Sequence, residues 1–164
     1  METARILVLV AATVTCGLSA GLFYAYVCSV MPALARVEDR MFIEVMQRVN
    51  VAILNGWFVL GFVGALLTTA ASVALHLPSD GHDALPATVA ALVLYVAAIG
   101  VTRSVNIPLN DELAAAGAPK EITDPAAVRG RFEARWARFN VLRALLCTSA
   151  LGCLAWALVL DGQG

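Results

Sequence analysis

Residues 6–34, 51–77, 85–101 and 139–160 form four apolar runs separated by polar connections. Each is close to or above the roughly 20 residues that a helix needs to cross the hydrocarbon core of a bilayer. Only 14% of the 164 residues are charged and 60% are hydrophobic, whereas about a quarter of a soluble domain is charged. That composition, with a mean hydropathy of +0.81, excludes an ordinary soluble domain. The runs therefore predict an all-α integral membrane four-helix bundle with amphipathic helical extensions on the cytoplasmic side. Residues 1–164 are read as a single transmembrane domain, with helices at about 5–35, 49–77, 84–106 and 136–160.

The first run follows Arg5 and contains the small residues Ser19, Ala20 and Gly21, as a signal peptide would. A cleaved apolar segment is usually only about 7–15 residues long, and this one continues through "LFYAYVCSVM". It is expected to be a retained membrane helix. "TVTCG" is a poor lipoprotein signal, because Thr15 precedes Cys16. Over residues 6–34 a straight helix would be roughly 43 Å long, so it should tilt or extend beyond the membrane. Gly17 and Gly21 have the small-xxx-small spacing that lets a neighbouring helix approach closely. Tyr24 and Tyr26 are expected near the cytoplasmic interface, and Pro32 near the helix end.

In up-down order the two termini and the loop at 78–84 share one side, which carries Arg5 alone among the 11 Lys and Arg residues. The positive-inside bias then predicts a multi-pass protein of the cell membrane, with both termini outside and the basic connections cytoplasmic. No basic patch interleaved with aromatics suggests nucleic acid. Membrane lipid is an expected partner, and a homo-oligomer is compatible with the sequence.

Cys16, Cys28, Cys147 and Cys153 all fall in predicted membrane helices without zinc-like spacing, and are expected to be buried apolar thiols. His76 and His82 flank the turn "LPSDGHD" and are expected to be ordinary surface histidines, with no metal site.

The connection "ARVEDRMFIEVMQRVN" has apolar residues at helical spacing. It predicts a helix beginning near Glu38 in water and running on into the membrane. "DELAAAG" reads as a short helix ended by Gly117, and "AAVRGRFEARWARFNVLRALL" as a helix entering the membrane as the fourth span. No internal repeat is clear.

Three polar groups converge at the cytoplasmic end of such a bundle. Gln47 and Asn50 enter helix two; Asn106 and Asn110 leave helix three in "NIPLND"; Trp136, Asn140 and Arg143 enter helix four. The last three lie at i, i+4 and i+7, on one helix face. Arg143 could snorkel to the interface, or, with an indole N–H and a carboxamide beside it, hold an anionic or carbonyl-bearing ligand. Pro108 lacks an N–H and disfavours helix at Ile107, so helix three should end or kink there. The two asparagines would then either cap that end or line a cavity. Nucleophile-elbow, metalloprotease and phosphate-loop motifs are missing.

The glycine-containing first helix ending near Pro32, "MQRVN", "NIPLND" and "RWARFNVLR" together resemble the anthrone oxygenase family of small four-helix membrane proteins. The resemblance spans nearly the whole chain, and the last two motifs are the specific ones. It implies an oxygenase that converts the methylene of an anthrone-like hydrophobic aromatic molecule to a quinone carbonyl with O₂, without a required cofactor. By position it implies roles for Asn106, Pro108, Asn110, Trp136, Asn140 and Arg143. Asn106, Asn110, Asn140 and Arg143 are expected to be catalytic, and Gln47, Asn50 and Trp136 to bind substrate. The proton-accepting base is left open, with Asp111 one carboxylate on the expected side. The alternative is a non-catalytic membrane protein that binds a lipid or quinone-like ligand or scaffolds a partner.

Overall fold

The computed structural model describes residues 2–77 and 83–163. Helix α1, Glu2–Ala25, passes through a π-helical turn, Tyr26–Val30, into a last short turn, α2, Met31–Leu34. After a connection come α3, Asp39–Ala52, and α4, Gly56–His76. Helix α5, Leu85–Val101, passes through a second π-helical turn, Thr102–Asn106, into α6, Ile107–Ala115; the long α7, Pro125–Asp161, completes the chain. Four of these helical stretches are long and apolar enough to cross a membrane, and together they make a membrane helical bundle.

The bundle is apolar on the outside as well as inside. Leu7, Leu18, Leu60, Leu67, Val93 and Leu145 are exposed, as suits helices whose solvent is lipid. The interior is built from small residues, including Ala12, Cys16, Ala65, Ala91, Ala98, Cys147, Ala150 and Ala157. Small side chains let the helices pack closely where lipid provides no hydrophobic drive for association. Of the Gly17 and Gly21 pair, only Gly17 lies close to another helix: a Cβ there would sit 3.6 Å from Leu151, whereas Gly21 faces open space.

Helix α7 packs against both α1 and α5, and α4 packs along α1 but touches α5 over less of its length. At the end carrying both termini, Arg5 clamps α1 to α7 through Asp161, with Nη2 2.8 Å from Oδ1. His76 lies 3.6 Å from the same carboxylate oxygen and is fully buried. This corrects the expectation of a surface histidine: as α4 ends, His76 turns inward and its Nδ1 meets the Ser72 carbonyl at 2.7 Å. His82 and most of its turn lie outside the described residues. All four cysteines are free thiols, but only Cys16 and Cys147 are buried; Cys28 is exposed on the helix surface, contrary to expectation, and Cys153 is intermediate.

Two helix boundaries differ from the sequence reading. The helix that starts at Asp39 stops at Ala52, and the transmembrane helix begins anew at Gly56. Asn55 makes the break. Its Oδ1 accepts from the N–H groups of Trp57 and Phe58 at 3.0 and 3.1 Å, and its Nδ2 donates to the Ala52 carbonyl at 2.8 Å. One side chain thus caps both helix ends, which competes effectively with helix continuation.

At "NIPLND" the opposite holds: the helix does not end, and α6 continues to Ala115. A helical proline clashes with the carbonyl four residues earlier and leaves it without its donor. For Pro108 that residue is Ser104, inside the π-helical turn Thr102–Asn106, where the wider turn accommodates the ring. The first helix uses the same device. Pro32 follows the π-helical turn Tyr26–Val30, which contains Cys28, its residue four back.

These paired turns expose a repeated pattern that the sequence reading left unrecognised. Each is followed by an apolar residue and Pro, and later by a helix bearing Phe-x₃-(Met/Trp)-x-Arg-x-Asn-Val. The matching residues are Phe42, Met46, Arg48, Asn50 and Val51 in α3, and Phe132, Trp136, Arg138, Asn140 and Val141 in α7. The two equivalent phenylalanines meet edge to face, 6.1 Å between centroids. Each half also supplies an arginine to the other. Arg40 donates to the carbonyls of Pro119 and Ile122. Arg129 donates to Val37, Leu34 and Ala35 carbonyls at 2.8, 3.3 and 3.2 Å and pairs with Asp39 at 2.9 Å. The connections are therefore tied down as a second, smaller core around Phe42, Ile43, Met46, Leu113, Phe132 and Trp136.

Candidate functional site

At the end of the bundle away from the termini, lined by the first turns of α4 and the turn that follows α5, the structure forms a cavity of about 380 Å³. That is within the range of small-molecule sites, about 300–1,000 Å³. Its aromatic lining comes from Phe23 and Tyr26 of the first helix, Phe58 and Phe62 of α4, and Trp136 of α7. Its polar lining comes from Gln47, Asn50, Asn106, Asn110, Asn140 and Arg143. All seven residues expected to act as catalytic or binding groups thus line one cavity. A shallower hollow of about 440 Å³ near Pro32 is mainly apolar, and its acidic residue, Glu133, is already paired with Arg129.

Helical periodicity places Trp136, Asn140 and Arg143 on the inward face of α7, and all three are buried. Arg143 is only 6% exposed. Its Nη2 donates to Asn140 Oδ1 at 2.9 Å, and its guanidinium lies over the Phe23 ring at 4.4 Å and the Trp136 ring at 5.3 Å. No carboxylate pairs with it among the described residues. Asn140 fixes it in place, because Nδ2 donates to the Phe23 carbonyl at 3.1 Å while Oδ1 receives the arginine. Phe23 lies just before the first π-helical turn, so that irregularity and the Arg143 side chain are joined through Asn140.

The asparagines of "NIPLND" do not cap a helix end. Asn110 Oδ1 accepts from the Trp136 indole N–H at 2.8 Å, and Asn106 Nδ2 donates to the Trp136 carbonyl at 3.4 Å. Both bonds link this stretch to α7, one at the end of the π-helical turn and one in the first turn of α6, so Trp136 is held at both backbone and indole. Asn106 Oδ1 is left without a partner although the residue is 1% exposed.

Gln47 lines the cavity but is committed elsewhere. Its Nε2 donates to the Leu113 and Gly117 carbonyls at 2.8 and 3.1 Å, capping α6 where Gly117 takes a positive φ of 86°. Left-handed geometry at that point favours glycine. Asn50 keeps its Nδ2 unpartnered. The site thus holds three buried polar atoms with no protein hydrogen bond: the acceptor Asn106 Oδ1 and the donors Asn50 Nδ2 and Arg143 Nε. Leaving such atoms unsatisfied costs about 1–3 kcal/mol each, which a ligand carrying complementary groups would offset.

The sequence reading missed the aromatic wall from α4. Phe58 stacks on Phe62 with centroids 5.1 Å apart, and Phe62 packs edge to face with Phe23 at 6.0 Å. Nothing distinguishes these phenylalanines from lipid-facing ones in an unbroken apolar run; only the neighbouring helices select the inner face. Tyr26, expected as an interface marker, turns inward and packs 5.6 Å from the Trp136 ring.

Comparison with curated proteins and with solved structures returns no match. The family model for anthrone oxygenase matches residues 52–153, a stretch that begins just before the Asn55 cap and includes both asparagines of "NIPLND" and the whole Trp136–Asn140–Arg143 face. On that match, the chain belongs to the anthrone oxygenase family.

Proposed function

We propose that the protein is a membrane oxygenase that binds a flat, anthrone-like aromatic ketone and converts its methylene to a quinone carbonyl with O₂. The observation that carries this reading is Arg143, buried without a carboxylate partner at the junction of an aromatic wall and a set of carboxamides. An uncompensated buried cation is costly. A substrate that becomes an oxyanion as it reacts removes that cost when the negative charge forms.

Loss of one methylene proton from an anthrone gives an enolate whose charge spreads over the rings and onto the carbonyl oxygen. Arg143 and the neighbouring amides are donors preorganised for that oxygen. The aromatic side chains provide faces for the ring system. The electron-rich carbon transfers an electron to O₂, and the resulting radical pair combines as a peroxide. Loss of the second proton from that carbon with cleavage of the O–O bond leaves the carbonyl and releases water. The methylene and one O₂ thus become one carbonyl and one water, with no other oxidant and no metal or organic cofactor invoked. Asn140 acts by holding the guanidinium, Asn110 by holding Trp136, and Asn50 and Asn106 by meeting polar groups of the substrate.

The charge asymmetry of the connections supports a membrane orientation with this site on the cytoplasmic side and both termini outside. A lipid-soluble substrate reaches the cavity through its lining residues Val51, Leu54 and Ile107, which are exposed. That same opening favours the second reading, a non-catalytic binder of a lipid or quinone-like molecule. Oxygen uptake by the purified protein with a panel of anthrones separates the two. Catalysed uptake is expected for the wild type and strongly reduced uptake for Arg143→Ala and Asn110→Ala. Quinone binding with no uptake for any anthrone would favour the binder, and equal rates in all three proteins would remove the assigned roles.

A further inference from the structure

We infer that Asp111 is the proton acceptor of the site, taking the methylene proton of the bound ketone and passing it to solvent at the cavity mouth. The inference rests on the oxygenase reading and supplies the step it leaves without a residue. Asp111 is the one carboxylate among the described residues lining the cavity. The carboxamides, the indole and the Thr102 hydroxyl, which donates to the Ala98 carbonyl at 2.9 Å, are not bases near neutral pH. Tyr26 is a phenol with an ordinary pKa of about 10, and Arg143 is a cation. Asp111 alone offers an anionic oxygen.

Its placement suits that work. Asn110, the preceding residue, is fixed to Trp136 by the 2.8 Å hydrogen bond. The turn carrying Asp111 is thereby held against the helix that carries Arg143. Of the other acids at this end, Asp39 and Glu133 pair with Arg129 and Glu44 with Arg48, and Glu38, Glu112 and Glu121 are not among the residues that line the cavity. Asp111 takes part in no hydrogen bond or ion pair among the described residues. It is also exposed, so a proton taken from substrate can leave to water and the carboxylate is restored each cycle. The C–H bond breaks, its electron pair delocalises onto the carbonyl oxygen at Arg143, and the proton moves to Asp111 Oδ. The cavity therefore has an anion at its mouth and a cation in its buried wall, the order that draws a proton outward and electron density inward.

The test uses full-length protein in detergent with anthrone, followed in two ways. Without O₂, in deuterated buffer, mass spectrometry follows exchange of the methylene hydrogens above the protein-free rate. In air, O₂ uptake gives kcat and KM. Wild type is expected to catalyse both, and Asp111→Asn to lose exchange and kcat by about 10²- to 10⁴-fold with KM changed less than a few-fold. Asp111→Glu should retain part of both activities, and added formate should partly restore Asp111→Ala. If Asp111→Asn elutes as the wild type does and exchanges at the wild-type rate, Asp111 is not the base, while wild-type uptake leaves the oxygenase reading intact. Failure of wild type to take up O₂ with any anthrone would overturn both.

Discussion

The stretches Phe42 to Val51 and Phe132 to Val141 carry the same residue pattern, yet they end in different surroundings. In α7 the helix runs straight on, so the residue three beyond Asn140 is Arg143, buried on the cavity wall. In α3 the residue three beyond Asn50 is Ile53, where the helix has already stopped and Asn55 caps the next one. Asn140 spends both ends of its amide on Phe23 and Arg143, whereas the Nδ2 of Asn50 has no partner. A repeated pattern therefore does not assign a repeated role. Helix continuity separates the copy that carries the buried arginine from the copy whose amide nitrogen stays unpartnered.

The comparison is broken most directly at its charged member. Arg143→Ala is expected to lower anthrone-dependent O₂ uptake by about 10²- to 10³-fold, the usual loss for one oxyanion donor, while Ile53→Ala at the equivalent position changes it only a few-fold. Similar losses in both would mean that the cavity depends on packing rather than on the guanidinium. Next in size is Asn140→Ala, which leaves the Phe23 carbonyl and the Arg143 Nη2 without their partner. It should destabilise the protein by about 1–3 kcal/mol, read by reversible unfolding in mixed micelles.

The helix break separates the two stretches, and Asn55→Ala tests it. Loss of that cap is expected to cost about 1 kcal/mol and to lower the thermal midpoint by a few degrees. An unchanged midpoint would show that the chain breaks there without help from the side chain. The smallest effect is expected for Asn50→Ala, within about 0.5 kcal/mol on stability, because no hydrogen bond of Nδ2 is lost. Its effect should show in a raised KM for substrates with a polar group, and a stability loss equal to that of Asn140→Ala would erase the distinction between the two copies.

Much of this site can be read along the chain. Trp136, Asn140 and Arg143 are brought together by the 3.6-residue period alone, which any helix through them must obey. Pro108 marks an irregularity for the same local reason, its missing N–H. How the irregularity is resolved depends on neighbours. A proline can end a helix or widen it, and here the bond that Asn106 donates to the Trp136 carbonyl and the one that Asn110 accepts from its indole accompany the widened form. The stop at Ala52 is written in Asn55-Gly56, a cap and a permissive residue, but an apolar run on either side conceals it. Tyr26, Phe58 and Phe62 resemble lipid-facing residues until α5 and α7 define which side is inside.

The sequence by itself determined the number of membrane-length helices, their shared polar end and the stripe of one of them, because chain length, hydropathy and helical period are properties of the local chain. Only the tertiary structure decided that Gln47 caps α6, that His76 is buried beside Asp161, and that Asn50, Asn106 and Arg143, which line one cavity, each keep a side-chain atom without a hydrogen bond. The physical reason is that hydrogen bonding is a matter of partners. Whether an amide is satisfied depends on which group from a distant segment lies within about 3 Å of it, and residues 26 to 117 positions apart in the chain supply those groups here.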